Sequence, residues 1–428
     1  MAAKIALLAL LVSFLLAAAP AHAYAEHLGF PAQQSRHRLS LLTSRLDTAT
    51  SRVSTQTPLK TDGDGGGAYD MELTIGTPPQ RLTALADTGS DLIWTKCGAC
   101  ASCVPQGSSS YFPDKSSSFS KLPCAARLCG ALKNESPATT CGAGGNECDY
   151  KYSYGLEEDF HHYTQGYLGS ENFTIGGDVV PGIGFGCTNM SEGNYGAGSG
   201  LVGLGRGELS LVSQLNVSTF SYCLTSDASK PSPLLFGSLA ALSGGGIQST
   251  PFLPSSVFYT VDLHTISIGS EKTAGVDGGV VFDSGTMLTY LAEPAYSQAK
   301  LALLMDDGVE ACFYEEPSDG RIEDAVPSMV LHFGGGADMV LPVRNYFVDV
   351  GGGVVCWVVQ QSPSNVSILG NVMQVDFHVL HDIDKSVLSF QPANCDSLLG
   401  SSRLLSKFEG IFLLTALHFL YTMFKFVE

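Results

Sequence analysis

From Tyr69 onward the chain runs in short apolar stretches closed by Gly, Ser, Asn or Pro, and few stretches are long enough for a helix. Tyr69-Asp70-Met71-Glu72-Leu73-Thr74-Ile75 alternates apolar and polar positions, as a strand with one buried face does, and Pro78-Pro79 closes it with a turn. A second strand series opens at Phe258-Tyr259-Thr260-Val261-Asp262-Leu263, beyond the glycine run Ser243-Gly244-Gly245-Gly246. The pattern predicts an all-β protein with lobes over residues 66–245 and 246–395. One helix is expected at Pro294–Leu304, where Pro294 sits in the first turn and needs no N–H.

The two ends follow other patterns. Lys4, the apolar run Ile5–Ala19 and the small-x-small triplet Ala21-His22-Ala23 read as a signal peptide over residues 1–23, the run being short for a membrane anchor. Residues 24–65 carry Leu39, Leu41, Leu42 and Leu46 at roughly helical spacing with Arg36, Arg38, Arg45, Arg52 and Lys60, and lead into Asp62-Gly63-Asp64-Gly65-Gly66-Gly67. This basic, amphipathic segment is expected to be a propeptide paired with an acidic body and loosened when acid protonates that body's carboxylates. In the tail, residues 396–428, the apolar run Ile411–Phe424 is too short to span a bilayer. Ser397, Gly400, Ser401 and Ser402 ahead of it resemble a glycolipid-anchor signal, against which His418, Lys425 and Glu428 count. A membrane is a partner only if that tail is an anchor signal.

Charge and cysteines narrow the class. The 428-residue chain can bury two cores, and its 44% hydrophobic content excludes wholesale disorder. The formal charge is −18. Between the two ends, 34 acidic residues face 14 basic ones, which argues against nucleic acid as a partner and suits an acidic compartment. All twelve cysteines lie between Cys97 and Cys395, an even number that suggests six bridges in a secreted chain. Cys97-x-x-Cys100-x-x-Cys103 has zinc-like or redox-like spacing, but Cys124, Cys129, Cys141 and Cys148 close behind favour disulfides; spacing leaves the pairing open. Sequons at Asn134, Asn172, Asn189, Asn216 and Asn365 make glycosylation expected at some sites, with Pro137 lowering use of the first.

The candidate chemistry lies in a repeat. Ala84-Leu85-Ala86-Asp87-Thr88-Gly89-Ser90 and Val280-Val281-Phe282-Asp283-Ser284-Gly285-Thr286 each end an apolar run in Asp, a hydroxyl residue, Gly and a second hydroxyl residue. A carboxylate at the end of a buried strand is costly unless its surroundings are built for it. Each motif is followed downstream by two apolar residues and a glycine: Gly200-Leu201-Val202-Gly203-Leu204 in the first half and Ser367-Ile368-Leu369-Gly370-Asn371 in the second.

With Ile75-Gly76-Thr77-Pro78-Pro79-Gln80 and Asp87-Thr88-Gly89-Ser90-Asp91-Leu92-Ile93-Trp94, this repeat resembles the pepsin-like aspartic proteases, and within them the plant branch typified by nepenthesin. The likeness spans roughly Tyr69 to Cys395. It implies a bilobal, all-β, pepsin-like acid protease fold with the active site between two pseudo-two-fold-related lobes. It also implies that Asp87 and Asp283 share one proton, an arrangement for which this family is the standard example. The ionised member would take a proton from water while the other donates to the scissile carbonyl, with no cofactor and no metal. Thr88 and Ser284 would cross-bond beneath the pair, Ser90 and Thr286 would hold the outer oxygens, and Gly89 and Gly285 would allow close backbone approach. Tyr154 would sit on a substrate-covering hairpin with Trp94 as its hydrogen-bond partner. The implied disulfides are Cys97–Cys100, Cys103–Cys187, Cys124–Cys148, Cys129–Cys141, Cys223–Cys395 and Cys312–Cys356.

This chain departs from the family pattern in three places. The hairpin tip, Leu156-Glu157-Glu158-Asp159-Phe160-His161, is longer and acidic and lacks the second glycine, which is expected to shift preference toward basic or apolar substrate side chains. Met287 stands where relatives carry a small hydroxyl residue, removing a hydrogen bond to substrate backbone. The stretches from Ile268 to Val280 and from Asp283 to Cys312 are shorter than in relatives. The reading is a secreted, apoplastic or vacuolar, monomeric aspartic endopeptidase made as a zymogen, with peptide or protein substrates and its own propeptide as partners. The alternative is a catalytically impaired homologue that binds or inhibits a partner, as plant xylanase inhibitors do.

Overall fold

The structure, a computed structural model, describes residues 54–61, 67–155, 162–227, 229–254, 256–305, 312–314, 326–349 and 354–398. The expected signal peptide, most of the expected propeptide, the hairpin tip at 156–161 and nearly all of the tail lie outside these residues. Among the described residues, no helix is long and apolar enough to cross a membrane.

The first predicted strand forms as Tyr69–Ile75, with Met71, Leu73 and Ile75 buried and Glu72 exposed; Asp70, also buried, breaks the alternation. It pairs antiparallel with Gln80–Asp87, Ile75 opposite Gln80 and Asp70 opposite Leu85, across the Pro78-Pro79 turn. Gly200–Gly203 lies parallel to this second strand, Gly203 beside Asp87, and antiparallel to Trp94–Lys96. The second half repeats the scheme. Val280–Phe282 lies parallel to Ser367–Leu369, which pairs antiparallel with Thr289–Leu291. The fold is all-β and bilobal, and each half of the sequence repeat builds the same strand crossing.

A shared sheet joins the halves. Thr219–Cys223 pairs antiparallel with Phe377–Asp382, Phe220 opposite His381 and Tyr222 opposite Val379. His381 is fully buried and stacks on Phe220 at 4.4 Å, with the Tyr259 ring edge-on at 4.5 Å. Neither of its ring nitrogens has a hydrogen-bond partner among the described residues. The expected helix forms one residue later than read, at Ala295–Met305; a second, Arg127–Glu135, buries Cys129 and Leu132.

Gln56–Thr61, part of the expected propeptide, is a strand of this sheet. It lies between Ser232–Phe236, with Gln56 opposite Leu235, and Tyr69–Ile75, with Thr61 opposite Tyr69. Leu59 is buried in the core, and the Thr55 and Thr57 hydroxyls donate to the Ile175 and Glu72 carbonyls at 2.9 and 3.0 Å.

All twelve cysteines are bridged, but four bridges differ from those the resemblance implied. Cys223 joins Cys395 and Cys312 joins Cys356, as implied. In place of Cys97–Cys100 and Cys103–Cys187, the structure joins Cys97 to Cys187 and Cys100 to Cys103. The register decides this: Thr95 pairs with Cys187, and the Cys97 N–H donates to Thr188 O at 2.9 Å, setting Cys97 against that strand. In place of Cys124–Cys148 and Cys129–Cys141, the bridges are Cys124–Cys141 and Cys129–Cys148. Burial sorts these four, since Cys129 and Cys148 face the core while Cys124 is half-buried and Cys141 exposed. Asn134, Asn189, Asn216 and Asn365 are exposed; Asn172 is half-buried, its amide near Thr77 Oγ1 at 3.4 Å.

Candidate active site

The two repeated motifs meet at the centre of the molecule. Asp87 ends the strand Gln80–Asp87 after the buried run Ala84-Leu85-Ala86, Asp283 directly follows Val280–Phe282, and each is only 7% exposed. Each carboxylate is fixed first by its own turn: Gly89 N–H donates to Asp87 Oδ1 and Gly285 N–H to Asp283 Oδ1, both at 2.8 Å. The second oxygens are held by hydroxyls, Asp87 Oδ2 by Ser90 and Asp283 Oδ2 by Thr286 at 2.7 Å.

Beneath them the halves are cross-bonded. Thr88 Oγ1 donates to Phe282 O at 2.9 Å and accepts from Ser284 N–H at 2.9 Å. Reciprocally, Ser284 Oγ donates to Ala86 O at 2.8 Å and accepts from Thr88 N–H at 3.2 Å. All four of these groups are buried, so each bond replaces a hydration that the interior cannot supply. The glycines between are required by proximity. A methyl built on Gly89 would stand 2.7 Å from Asp283 Oδ2, and one on Gly285 would stand 2.6 Å from Asp87 Cγ. Burial, and next the neighbouring Asp283 charge, raise the Asp87 carboxyl well above the usual carboxylate range; the Ser90 and Gly89 hydrogen bonds oppose this. An acid that keeps its proton beside a second carboxylate can donate and accept in one step.

Trp94 Nε1 donates to Tyr154 Oη at 2.9 Å, and Tyr195 packs edge-on against both rings at 5.0 and 5.5 Å. Gly155, directly after Tyr154, ends the described part of this strand of the hairpin. The preference expected from the tip falls on residues 156–161. Met287 lies against Gly67: a methyl on that glycine, whose φ is +65°, would stand 2.9 Å from Met287 Sδ.

Sequence reasoning missed two side chains here. Asn371, 1% exposed, donates from Nδ2 to Gly67 O at 2.5 Å and to Ser284 O at 3.0 Å, tying the chain entering the first strand to the second motif. Its signal was its place directly after Gly370 in the repeated apolar-apolar-Gly element. Tyr195 left no local signal, because its role comes from packing.

The family profile described as Xylanase inhibitor N-terminal matches residues 69–238, and the one described as Xylanase inhibitor C-terminal matches residues 258–392. Aspartic proteinase nepenthesin-1 of Nepenthes gracilis is 41% identical over 357 residues, covering 77% of this chain and 79% of its own. The chain belongs to the pepsin-like aspartic proteases, in the nepenthesin-like plant branch. Nepenthesin-2 of the same plant is 38% identical, covering 77% of this chain and 78% of that protein. Among solved structures, this protease-family chain shares its fold with conglutin gamma from lupine seeds and basic 7S globulin from soybean. Their TM-scores are 0.62 and 0.63 at 18% and 19% identity, each covering 81% of this chain and 99% of the other. In this family setting, the grip of Thr88 and Ser284 sits in both halves at the same step after the aspartate.

Proposed function

We propose that this chain is an aspartic endopeptidase that hydrolyses peptide bonds at acidic pH through a water activated by Asp87 and Asp283. The observation that carries the reading is the convergence of two buried carboxylates, each gripped by its own turn and by a hydroxyl. One carboxylate takes a proton from the attacking water; the other donates to the carbonyl oxygen of the scissile bond. The tetrahedral intermediate collapses when a proton returns to the leaving amine, so no covalent intermediate arises. A raised Asp87 carboxyl holds the shared proton to higher pH than a free carboxyl would, and activity fades as the pH rises and that proton is lost.

The same reading makes the chain a secreted, monomeric zymogen, glycosylated at some of its sequons and bound for the apoplast or vacuole. Its substrates are extended peptides or unfolded proteins, and its basic propeptide is released in acid while the strand Gln56–Thr61 stays in its sheet. A second reading, a binding or inhibitor protein, has the description of the matching profiles in its favour. One experiment separates the two. The purified precursor is brought to about pH 3–5 with denatured protein as substrate, with and without a pepstatin-type inhibitor. Cleavage that the inhibitor blocks and that is absent in Asp87→Asn supports the peptidase. An inactive wild type refutes it, and xylanase inhibition by that inactive protein supports the second reading.

A further inference from the structure

We propose that Gln374 and Tyr222 are a positioning pair that holds Asp283 in line with Asp87 from across the lobe boundary; the proposal rests on the peptidase reading above. Gln374 closes the short helical turn Asn371–Gln374 after the strand Ser367–Leu369 and is fully buried. Its Nε2 donates to Leu369 O at 2.8 Å and to Asp283 O at 3.2 Å. Its Oε1 accepts from the Tyr222 hydroxyl at 2.5 Å. Both amide hydrogens are therefore used, and one ends on the peptide oxygen of the residue whose carboxylate does the chemistry. Tyr222, 1% exposed, belongs to Thr219–Cys223, a strand of the first half that crosses into the shared sheet.

The first half holds its aspartate differently. Asp87 O accepts from the backbone N–H of Leu204 at 2.7 Å, so main chain supports main chain. A tyrosine of the other half again stands behind this contact, Tyr259 Oη donating to Leu204 O at 2.9 Å and Gly205 O at 3.1 Å. The segment behind each aspartate is thus touched by a phenol from the opposite half. Only at Asp283, however, does the aspartate's own carbonyl depend on a side chain. An apolar residue of Gln374's size could fill the volume, but it would release the Asp283 carbonyl and take from the Tyr222 hydroxyl its Gln374 acceptor. Proton transfers between two carboxyls and a water depend on alignment, and a displacement of about 1 Å can lower the rate about 100-fold.

The test compares Gln374→Met, Gln374→Glu, Tyr222→Phe and the Tyr222→Phe/Gln374→Met double variant in the full chain, reading kcat, KM, pH profile and melting temperature. Gln374→Met is expected to lower kcat roughly 10- to 100-fold with KM within about twofold. The double variant is expected to be no worse than Gln374→Met, because the two side chains act as one unit. Gln374→Glu supplies the sharper readout. While protonated, its carboxyl can accept from Tyr222 and donate to one of the two carbonyls. Burial and the two facing carbonyl oxygens raise that carboxyl, so it stays protonated across the acidic range, and kcat should recover toward wild type relative to Gln374→Met with KM unchanged. If Gln374→Met does not fold, Tyr222→Phe decides alone: a lowered kcat at unchanged KM supports the positioning role, and a wild-type kcat overturns it.

Wild-type cleavage together with an unchanged kcat in Gln374→Met, or with a kcat in Gln374→Glu no higher than in Gln374→Met, overturns the positioning role and leaves the peptidase reading intact. A wild type that does not cleave overturns the peptidase reading and the positioning role with it.

Discussion

Replacing His381 with Phe should flatten the pH dependence of folding stability. The ring is fully buried among Phe220, Tyr222, Tyr259 and Phe252, with both nitrogens unpartnered. Arg206 stands over the Phe252 ring, 5.6 Å from its centroid. Burial lowers the imidazole from 6.5 to about 3, so the neutral form is the one the fold accepts. The unfolded chain therefore binds the proton first as pH falls. The stability is full above about pH 6.5 and drains away toward the folded value, and about 3 kcal/mol is gone by pH 4. His378, lowered to about 4 on the same strand, drains in the same direction and is present in both proteins compared.

The measurement is urea unfolding at pH 7 and pH 4, made in an Asp87→Asn background so that self-digestion does not intrude. His381→Phe should lose about 3 kcal/mol less than its parent between the two conditions. At pH 7, losing two unpartnered nitrogens is worth about 1–3 kcal/mol, offset in part by the added volume. The difference between the two pH values is therefore the readout, and the stability at either one alone is not. Equal losses in the two proteins would refute the reasoning.

Three further expectations come from the centre of the molecule and its bridges. Thr88→Ala removes the acceptor for Ser284 N–H and the donor to Phe282 O, and should cost about 2–4 kcal/mol in a urea midpoint measurement. Gly285→Ala places a methyl against Asp87 and should lower kcat about 100-fold on a peptide substrate, and the overpacking should also cost about 1–3 kcal/mol of stability. Non-reducing peptide mapping should recover Cys129–Cys148 and Cys124–Cys141. Paired Ser replacement of the buried bridge should cost about 2–4 kcal/mol and exceed the loss from the exposed one.

What could be read in the sequence was what is local. Asp87 to Thr88 and Asp283 to Ser284 announce themselves because a buried strand ending in a carboxylate is rare and here occurs twice. The partnership of Trp94 with Tyr154 followed from the resemblance alone. The exchanged bridges could not be read from spacing, since Cys148 and Cys141 lie opposite each other on paired strands yet differ in burial. Gln374 and Tyr222 are 152 residues apart and meet only because two strands cross, so neither carries a pattern of its own. Gln56–Thr61, with Pro58 in its middle, shows little strand character; its neighbours confer it.

That strand has a practical corollary. Sandwiched between Ser232–Phe236 and Tyr69–Ile75, it fills a slot with hydrogen-bonding groups on both sides. A recombinant chain begun at Gly66 would leave two raw edges facing each other across an empty lane, an invitation to clumping. A synthetic peptide of residues 55–61 added to that shortened chain should dock in the lane and restore solubility. Expression begun at Val53 would need no such rescue.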